Sequence, residues 1–339
     1  MKAAVFHGVR DITIEDVPEP RVELDSVVIK VKVCGVCGSD LHLYKCGGQN
    51  EGTILGHEFS GDIVEIGANV TDVEKGDRVT AIGGKGCGQC YWCRQGQLLR
   101  CRELMFLGWG LPGAFAQYVS VPFFQIGMYA AKLPDTMTYE IAATAEPVAV
   151  ALYAVTKAQP QPEDTVVVIG AGMIGLCIVQ VLKAFGVNQV IVSEPRGKRL
   201  KLAKESGADV IVDAAREDIV SIVSEVTSGK GADIVFECAG LSNTYQQALE
   251  IVHCGGKVEL VGLYEQPITW DPSSTVTKDI TLIGCGLRWD LPGAVDLLQS
   301  GKVNTKPLLT HEFPLDEAKE AFETQLGSED AVKVLAIIP

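Results

Sequence analysis

The chain lacks both a long hydrophobic run and an excess of positive charge. No uninterrupted apolar stretch reaches the roughly 18 residues that a membrane span requires, and residues 1–7 do not have the pattern of a signal peptide. Lys and Arg number 29 against 43 Asp and Glu, which gives a net charge of −14. Unspecific binding to nucleic acid phosphates depends on clustered Lys and Arg. The sequence therefore predicts a cytoplasmic protein with no membrane span and no nucleic acid partner.

The 11 cysteines are too few for a disulfide scaffold in a chain of 339 residues, and an odd number cannot pair completely within the chain. Four of them crowd into residues 87–101, as Cys87, Cys90, Cys93 and Cys101. Crowded cysteines in a reducing compartment hold metal more often than they form disulfides. Four thiolates suit tetrahedral zinc and leave no position for a substrate, which predicts a structural zinc. An iron–sulfur cluster and unliganded reduced thiols are the alternatives.

The hydrophobic pattern changes along the chain and predicts two domains. Residues 1–150 contain short alternating strands, for example at 25–33, 61–66 and 77–82, which indicates a mainly β domain. In residues 151–285, apolar strands such as 166–169 and 189–193 alternate with helices such as 174–185 and 198–206. This alternation predicts a doubly wound parallel sheet covered on both faces, in an α/β domain. Residues 286–339, with a helix over 315–322, are expected to return to the first domain.

A glycine-rich turn after the apolar strand 166–169 predicts a dinucleotide site. Gly170 allows a tight turn, Gly172 lets the backbone approach a pyrophosphate, and Gly175 lets the following helix pack closely on the strand. Glu194, at the end of the next strand, can bind both ribose hydroxyls, which favours NAD over NADP. Nearby basic residues leave NADP open. The residues expected to contact the cofactor are Gly170, Gly172, Met173, Ile174, Gly175, Glu194 and Arg199.

A second group of potential metal ligands is scattered through the first 150 residues. Cys37, His57 and Glu58 are followed much later by Glu146. One thiolate, one imidazole and one carboxylate suit a catalytic zinc that keeps an open position for water or substrate. Sequence spacing alone does not indicate that these residues lie close together, so the prediction of this site requires a resemblance to a known family.

The order of the sequence motifs provides such a resemblance. CGSD at residues 37–40, GHEFSG at 56–61, VEKGDRV at 73–79, the four-cysteine loop and GAGMIG at 170–175 occur in the order seen in zinc-containing medium-chain alcohol dehydrogenases. The resemblance covers nearly the whole chain. EPVAVA at residues 146–151 and NTKPLLTH at 304–311 are most similar to the sorbitol and butanediol dehydrogenase branch.

This resemblance implies a GroES-like β-barrel catalytic domain, a Rossmann nucleotide domain, two zinc ions per chain and NAD. It implies that Ser39 receives the alcohol proton, that His42 passes it outward, and that Glu146 acts at the zinc directly or through water. Asp40 is interpreted as orienting a ligand. The residues implied to bind the catalytic zinc are Cys37, His57, Glu58 and Glu146, and Arg288 is implied to bind substrate. Relatives commonly form dimers or tetramers, and a tetramer is favoured here.

The predicted activity is hydride transfer between NAD and a secondary alcohol, diol or polyol. Zinc supplies a Lewis acid that lowers the pKa of the alcohol, and the nicotinamide takes the hydride. One alternative is an amino-alcohol dehydrogenase that acts on threonine, although that group tends to differ around Glu146. Another is a non-catalytic dinucleotide-binding redox sensor. A zinc-based interaction module would explain only the four-cysteine loop.

Overall fold

The computed structural model describes residues 1–48, 51–286 and 289–339, which form two compact units. The first unit contains the described parts of residues 1–149, 288–299 and 309–339, and the second those of 150–287 and 300–308. Residues 300–308, which the sequence analysis grouped with the returning segment, therefore cluster with the second unit. The boundary near residue 150 falls inside a helix.

The N-terminal part of the first unit consists mainly of short strands. They are β1 (Lys2–Gly8), β2 (Asp11–Asp16), β3 (Val27–Gly35), β4 (Thr53–Ile54), β5 (Glu58–Ile66), β6 (Arg78–Ala81), β7 (Gly84–Lys85), β8 (Met105–Leu107), β9 (Gly110–Leu111), β10 (Tyr118–Val121) and β11 (Ala130–Lys132). Four helices accompany them, namely α1 (Gly38–Cys46), α2 (Tyr91–Arg94), α3 (Tyr139–Ala142) and α4 (Ala145–Ala158).

The second unit has the predicted parallel sheet. Its strands are β12 (Thr165–Ile169), β13 (Gln189–Glu194), β14 (Val210–Asp213), β15 (Ala232–Glu237), β16 (Val252–Leu260) and β17 (Thr281–Gly284). They are parallel throughout and lie in the order β14-β13-β12-β15-β16-β17. The connecting helices are α5 (Met173–Ala184), α6 (Gly197–Glu205), α7 (Ile219–Val226), α8 (Ser242–Ile251) and α9 (Pro272–Thr277). All five residues of β12 are buried, as its continuous apolar sequence requires.

The C-terminal segment completes the sheet of the first unit. It contributes α10 (Leu291–Gln299), β18 (Leu309–Pro314), α11 (Ala318–Gly327) and β19 (Lys333–Ile337). β19 pairs antiparallel with β3, so that the sheet has the order β11-β6-β5-β3-β19-β18, with β10 also paired to β3. β18 and β19 are thus strands of the same sheet as β3 and β5. Phe6, Phe59, Phe115 and Phe322 are among the core residues of this unit.

One helical stretch, Tyr139–Ala158, passes the length and composition test for a membrane span. Its most apolar window is 67% buried within the protein. The core helix of a folded protein is buried in this way, so this stretch is weak evidence for a membrane span.

Candidate active site and metal centres

Three of the scattered residues meet at one point of the first unit. The Sγ of Cys37, a ring nitrogen of His57 and a carboxylate oxygen of Glu58 all lie within 4.8 Å of one another. Strand pairing explains the meeting, because Gly35 at the end of β3 lies opposite Glu58 at the start of β5. The residue types match a catalytic zinc site with an open position, so the donor set fits that metal.

Asp40 fixes the backbone around these three side chains. One carboxylate oxygen accepts a hydrogen bond from the amide of Cys37 at 3.0 Å, and the other accepts one from the amide of Gly56 at 3.2 Å. The same group lies 3.7 Å from Nδ1 of His57, and its side chain is only 2% exposed. Asp40 therefore contacts the segments that carry two of the clustered residues, which is the arrangement expected of an orienting residue.

The position of Gly56 does not accommodate any residue with a side chain. Its φ is +96°, and an added Cβ would lie 2.6 Å from the ring of Phe115 and 2.7 Å from the Sγ of Cys34. Both the left-handed backbone and the close packing exclude a side chain. This glycine allows the turn that presents His57 and Glu58 next to Cys37.

Lys333, on the C-terminal strand β19, is a component of the site that sequence analysis missed. Its ammonium group donates to Oε2 of Glu58 at 2.5 Å and to the carbonyl of Val36 at 2.9 Å. The Lys333 and Glu58 side chains are 4% and 2% exposed. A buried carboxylate requires such a partner. The only signal in the sequence was a single charge inside the apolar run of residues 331–339.

Glu146 lies near the cluster without belonging to it. Within the residues that the structure describes, the group of donors within 4.8 Å of one another contains Cys37, His57 and Glu58 but not Glu146. The indole Nε1 of Trp289 donates to Oε1 of Glu146 at 2.6 Å. Burial raises the pKa of Glu146 to about 7, with the neighbouring Glu58 also raising it and His57 opposing the shift.

Burial also raises the pKa of the Cys37 thiol, and Glu58 adds to this shift. Burial alone would lower the pKa of His57, but the neighbouring Cys37, Asp40 and Glu146 raise it well above its usual value. Zinc binds the deprotonated thiol and the neutral imidazole. Metal uptake by these residues therefore releases protons.

Ser39 and His42 occupy the first turns of α1, immediately after Cys37. Both side chains are partly buried. Residues three apart on a helix share one face, so the two side chains project to the same side. This placement is compatible with the predicted proton path, which stays a prediction. Arg288, the predicted substrate ligand, lies outside the described residues.

The four-cysteine loop forms a second cluster in the first unit. One sulfur from each of Cys87, Cys90, Cys93 and Cys101 lies within 4.8 Å of all the others, and none of them is in a disulfide. Backbone amides donate to three of these sulfurs at 3.4–3.5 Å. Four thiolates with supporting N–H donors fit a closed tetrahedral zinc site.

The glycine-rich turn joins β12 to α5 in the second unit, as predicted. An added Cβ at Gly175 would lie 1.9 Å from the carbonyl oxygen of Gly170, so the helix can pack this closely only with glycine there. α5 begins at Met173, which places its free N–H groups beside the turn. These features fit the pyrophosphate of a dinucleotide.

Glu194 ends β13 and is buried, with 4% exposure. Its Oε2 accepts from the amide of Ala171, inside the glycine-rich turn, at 2.8 Å, and its Oε1 accepts from the amide of Arg196 at 3.1 Å. Partial burial lowers the pKa of Arg199, which Glu194 opposes. Glu194 thus contacts both the turn and the basic segment that follows.

Comparison with known proteins agrees with this arrangement. A family model described as an alcohol dehydrogenase GroES-like domain matches residues 23–135, and one described as a zinc-binding dehydrogenase matches residues 174–300. A sorbitol dehydrogenase of Halalkalibacterium halodurans is 38% identical over 343 residues, which cover 99% of this chain and 98% of that protein. An L-threonine 3-dehydrogenase of Pyrococcus horikoshii is 37% identical over 333 residues, which cover 95% and 93%.

Solved structures give the same result. The crystal structure of 2R,3R-butanediol dehydrogenase from Bacillus subtilis is 34% identical, covers 99% of each chain and has a TM-score of 0.89. The predicted GroES-like and Rossmann domains are thereby confirmed. The chain belongs to the zinc-containing medium-chain alcohol dehydrogenases, in the branch of the sorbitol and butanediol dehydrogenases, and is an oxidoreductase that uses zinc and a nicotinamide cofactor.

Proposed function

We propose that the protein oxidises a secondary hydroxyl group of a diol or polyol with NAD, or catalyses the reverse reduction. The observation that carries this proposal is the cluster of Cys37, His57 and Glu58, whose ligand atoms lie within 4.8 Å of one another. A non-catalytic redox sensor would not need this donor set. The sorbitol and butanediol dehydrogenase relatives support a substrate with neighbouring hydroxyl groups.

In this proposal Cys37, His57 and Glu58 hold the catalytic zinc, and Glu146, which interacts electrostatically with His57 and Glu58, acts at the metal through water. When bound, zinc supplies a Lewis acid that lowers the pKa of the substrate hydroxyl. Ser39 accepts the hydroxyl proton and His42 carries it away along the face of α1. The nicotinamide supplies the hydride acceptor.

The proposed structural zinc is held by Cys87, Cys90, Cys93 and Cys101. Their loop contains only a four-residue helix and a one-turn 3₁₀ helix, and it lies between the short strands β7 and β8. A closed zinc site would stabilise a segment with so little regular structure. This ion has no part in the chemistry.

We also propose a homotetramer, with a dimer as the smaller alternative, and a cytoplasmic location. β17 is an edge strand of the parallel sheet, with its outer side unpaired among the described residues. Such an edge can pair with another copy of the chain. The 11 free cysteines suit a reducing compartment.

A second candidate is oxidation of threonine, which the similarity to the Pyrococcus horikoshii L-threonine 3-dehydrogenase favours. Both candidates use the same metal cluster and cofactor. They differ in the substrate, which carries an ammonium and a carboxylate group in one case and uncharged hydroxyl groups in the other. A comparison of the turnover rates of polyols, diols and L-threonine distinguishes the two candidate functions.

The function is tested by metal analysis together with a substrate panel. We expect about two zinc ions per chain, as a catalytic and a structural site require. We expect NAD reduction with sorbitol, xylitol, galactitol or 2,3-butanediol to exceed that with L-threonine. Reduced-cofactor absorbance gives the rates. Two zinc ions with no dehydrogenation of any panel member, or faster turnover of L-threonine, would contradict the polyol proposal.

The preference for NAD is proposed to depend on Glu194. Replacing it by Ala removes the carboxylate that would bind the ribose hydroxyls and repel a 2′-phosphate. We expect the ratio of kcat/KM for NAD to kcat/KM for NADP to fall about tenfold or more, as the loss of one charged hydrogen-bonding partner implies. Glu205→Ala, at the far end of α6, is the control and should leave the ratio unchanged. An unchanged ratio in Glu194→Ala would remove its ribose role.

A further inference from the structure

Glu237 is a buried carboxylate at the centre of the parallel sheet that the proposed mechanism does not use. It is the last residue of β15 and lies opposite Ile169, the last residue of β12. The order of the strands reverses between these two strands. In open α/β sheets, ligands bind beyond the carboxyl ends of the strands at such a reversal. Glu237 therefore stands at the base of the predicted cofactor crevice, with 0% exposure.

Four residues donate hydrogen bonds to this carboxylate. The amides of Ala239 and Gly240 donate at 2.9 Å, the latter also reaching the second oxygen at 3.2 Å. The hydroxyl of Thr244 donates at 2.8 Å and that of Tyr264 at 2.6 Å. Burial and the contact with Glu237 raise the pKa of Tyr264, which keeps its hydroxyl a donor.

Three of these donors come from two loops at the crevice, and Thr244 lies in the first turn of α8. Ala239 and Gly240 form the turn after β15, whereas Tyr264 lies in the segment after β16. The carbonyl of Glu237 also accepts from the amides of Val261 and Gly262 at 2.9 and 2.8 Å. One residue thus binds both loops through its main chain and its side chain.

The two loops pack closely at two glycine positions, where a side chain would have little or no space. A Cβ added at Gly262 would lie 2.3 Å from the amide nitrogen of Gly240. A Cβ added at Gly170, in the glycine-rich turn, would lie 3.1 Å from the nitrogen of Ala239. The turn after β15 therefore contacts the glycine-rich turn on one side and the loop after β16 on the other. Glu237 is therefore connected to the glycine-rich turn through the turn after β15.

We propose that Glu237 and Tyr264 are positioning residues for the nicotinamide cofactor, which hold the two loops in the conformation that binds it. The inference rests on the proposed cofactor site at residues 170–175. Without the Tyr264 hydroxyl, the loop after β16 populates other conformations in the free protein. The apparent dissociation constant rises in inverse proportion to the fraction of molecules that keep the competent conformation.

Tyr264→Phe tests the proposal because it removes one hydroxyl and leaves Glu237 three donors. We expect the dissociation constant for NADH, measured by its fluorescence, to rise about tenfold, which corresponds to about 1.4 kcal/mol. Zinc content and kcat at saturating cofactor should stay as in the unmodified protein. The matched control is Tyr245→Phe, since Tyr245 packs edge-on against the Tyr264 ring at 6.2 Å and has no role at the Glu237 carboxylate.

Amide hydrogen exchange gives a second measurement that does not depend on turnover. In cofactor-free Tyr264→Phe, the amides of residues 239–240 and 262–264 should exchange faster than in the unmodified protein, and saturating NADH should restore their protection. A dissociation constant within twofold of the unmodified protein, with unchanged exchange at these amides, would overturn the inference alone. Failure of the unmodified protein to bind NADH would overturn the proposed cofactor site as well.

Discussion

Replacing Cys37 by Ser is expected to lower kcat/KM for alcohol oxidation by at least about 1000-fold, because a serine hydroxyl is a poor zinc ligand. The cluster with His57 and Glu58 then keeps only two of its three donors. Loss of a residue that merely orients a ligand costs about 10–100-fold, so loss of the ligand itself should cost more. Steady-state NAD reduction and zinc content measure the effect, and zinc should fall from about two ions per chain to about one.

NADH binding in Cys37→Ser should match that of the unmodified protein, because the glycine-rich turn belongs to the other compact unit. Cys46→Ser is the matched control, since Cys46 is the last residue of α1, the helix that begins directly after Cys37, and is exposed. Its activity should be unchanged. If Cys37→Ser kept its zinc and more than a tenth of its activity, the assignment of Cys37 as a ligand would be wrong.

The second domain could be predicted from the sequence because its pattern is local. The apolar run at 166–169 corresponds to β12 (Thr165–Ile169), and the helix predicted over 174–185 is α5 (Met173–Ala184). In a parallel sheet buried on both faces, each strand is a continuous apolar run and each crossover is a helix.

The two metal sites differ in how well they could be predicted from the sequence. The four-cysteine loop is close in sequence, so its spacing alone indicated a site. Cys37 and His57 are brought together by the pairing of β3 with β5, which no local pattern specifies. The family resemblance supplied that step. Partners that depend on more distant pairing were missed, as with the Glu146–Trp289 contact across 143 residues.

Lys333 is the clearest example of a partner that sequence patterns do not predict. It binds Glu58 across 275 residues of sequence. A Lys in an apolar strand is compatible with a solvated strand edge, and only the antiparallel pairing of β19 with β3 places it at the site. Sequence motifs identify donors that act together in a family. They do not reveal the group that compensates a buried charge, because any cation from any neighbouring element can do so.

Replacing Lys333 by Met is expected to destabilise the metal-free protein by about 3–5 kcal/mol, the usual cost of removing one partner of a buried ion pair. Glu58, only 2% exposed, would then keep a carboxylate without its cation. Bound zinc would replace the missing positive charge. The loss of stability should therefore be clearly smaller in the zinc-loaded protein, and zinc should stabilise the variant more than it stabilises the unmodified protein. Denaturant unfolding with and without zinc measures both quantities.

Lys2→Met is the matched control, because Lys2 pairs with Asp316 at 3.1 Å but both side chains are at least half exposed. Exposed pairs contribute little to stability, so this variant should unfold like the unmodified protein with or without zinc. If Lys333→Met lost the same free energy of unfolding in both metal states, Lys333 would support only the packing of β19 against β3. A loss confined to the metal-free state would show that Lys333 and the zinc ion stabilise the same carboxylate, which makes Glu58 a ligand.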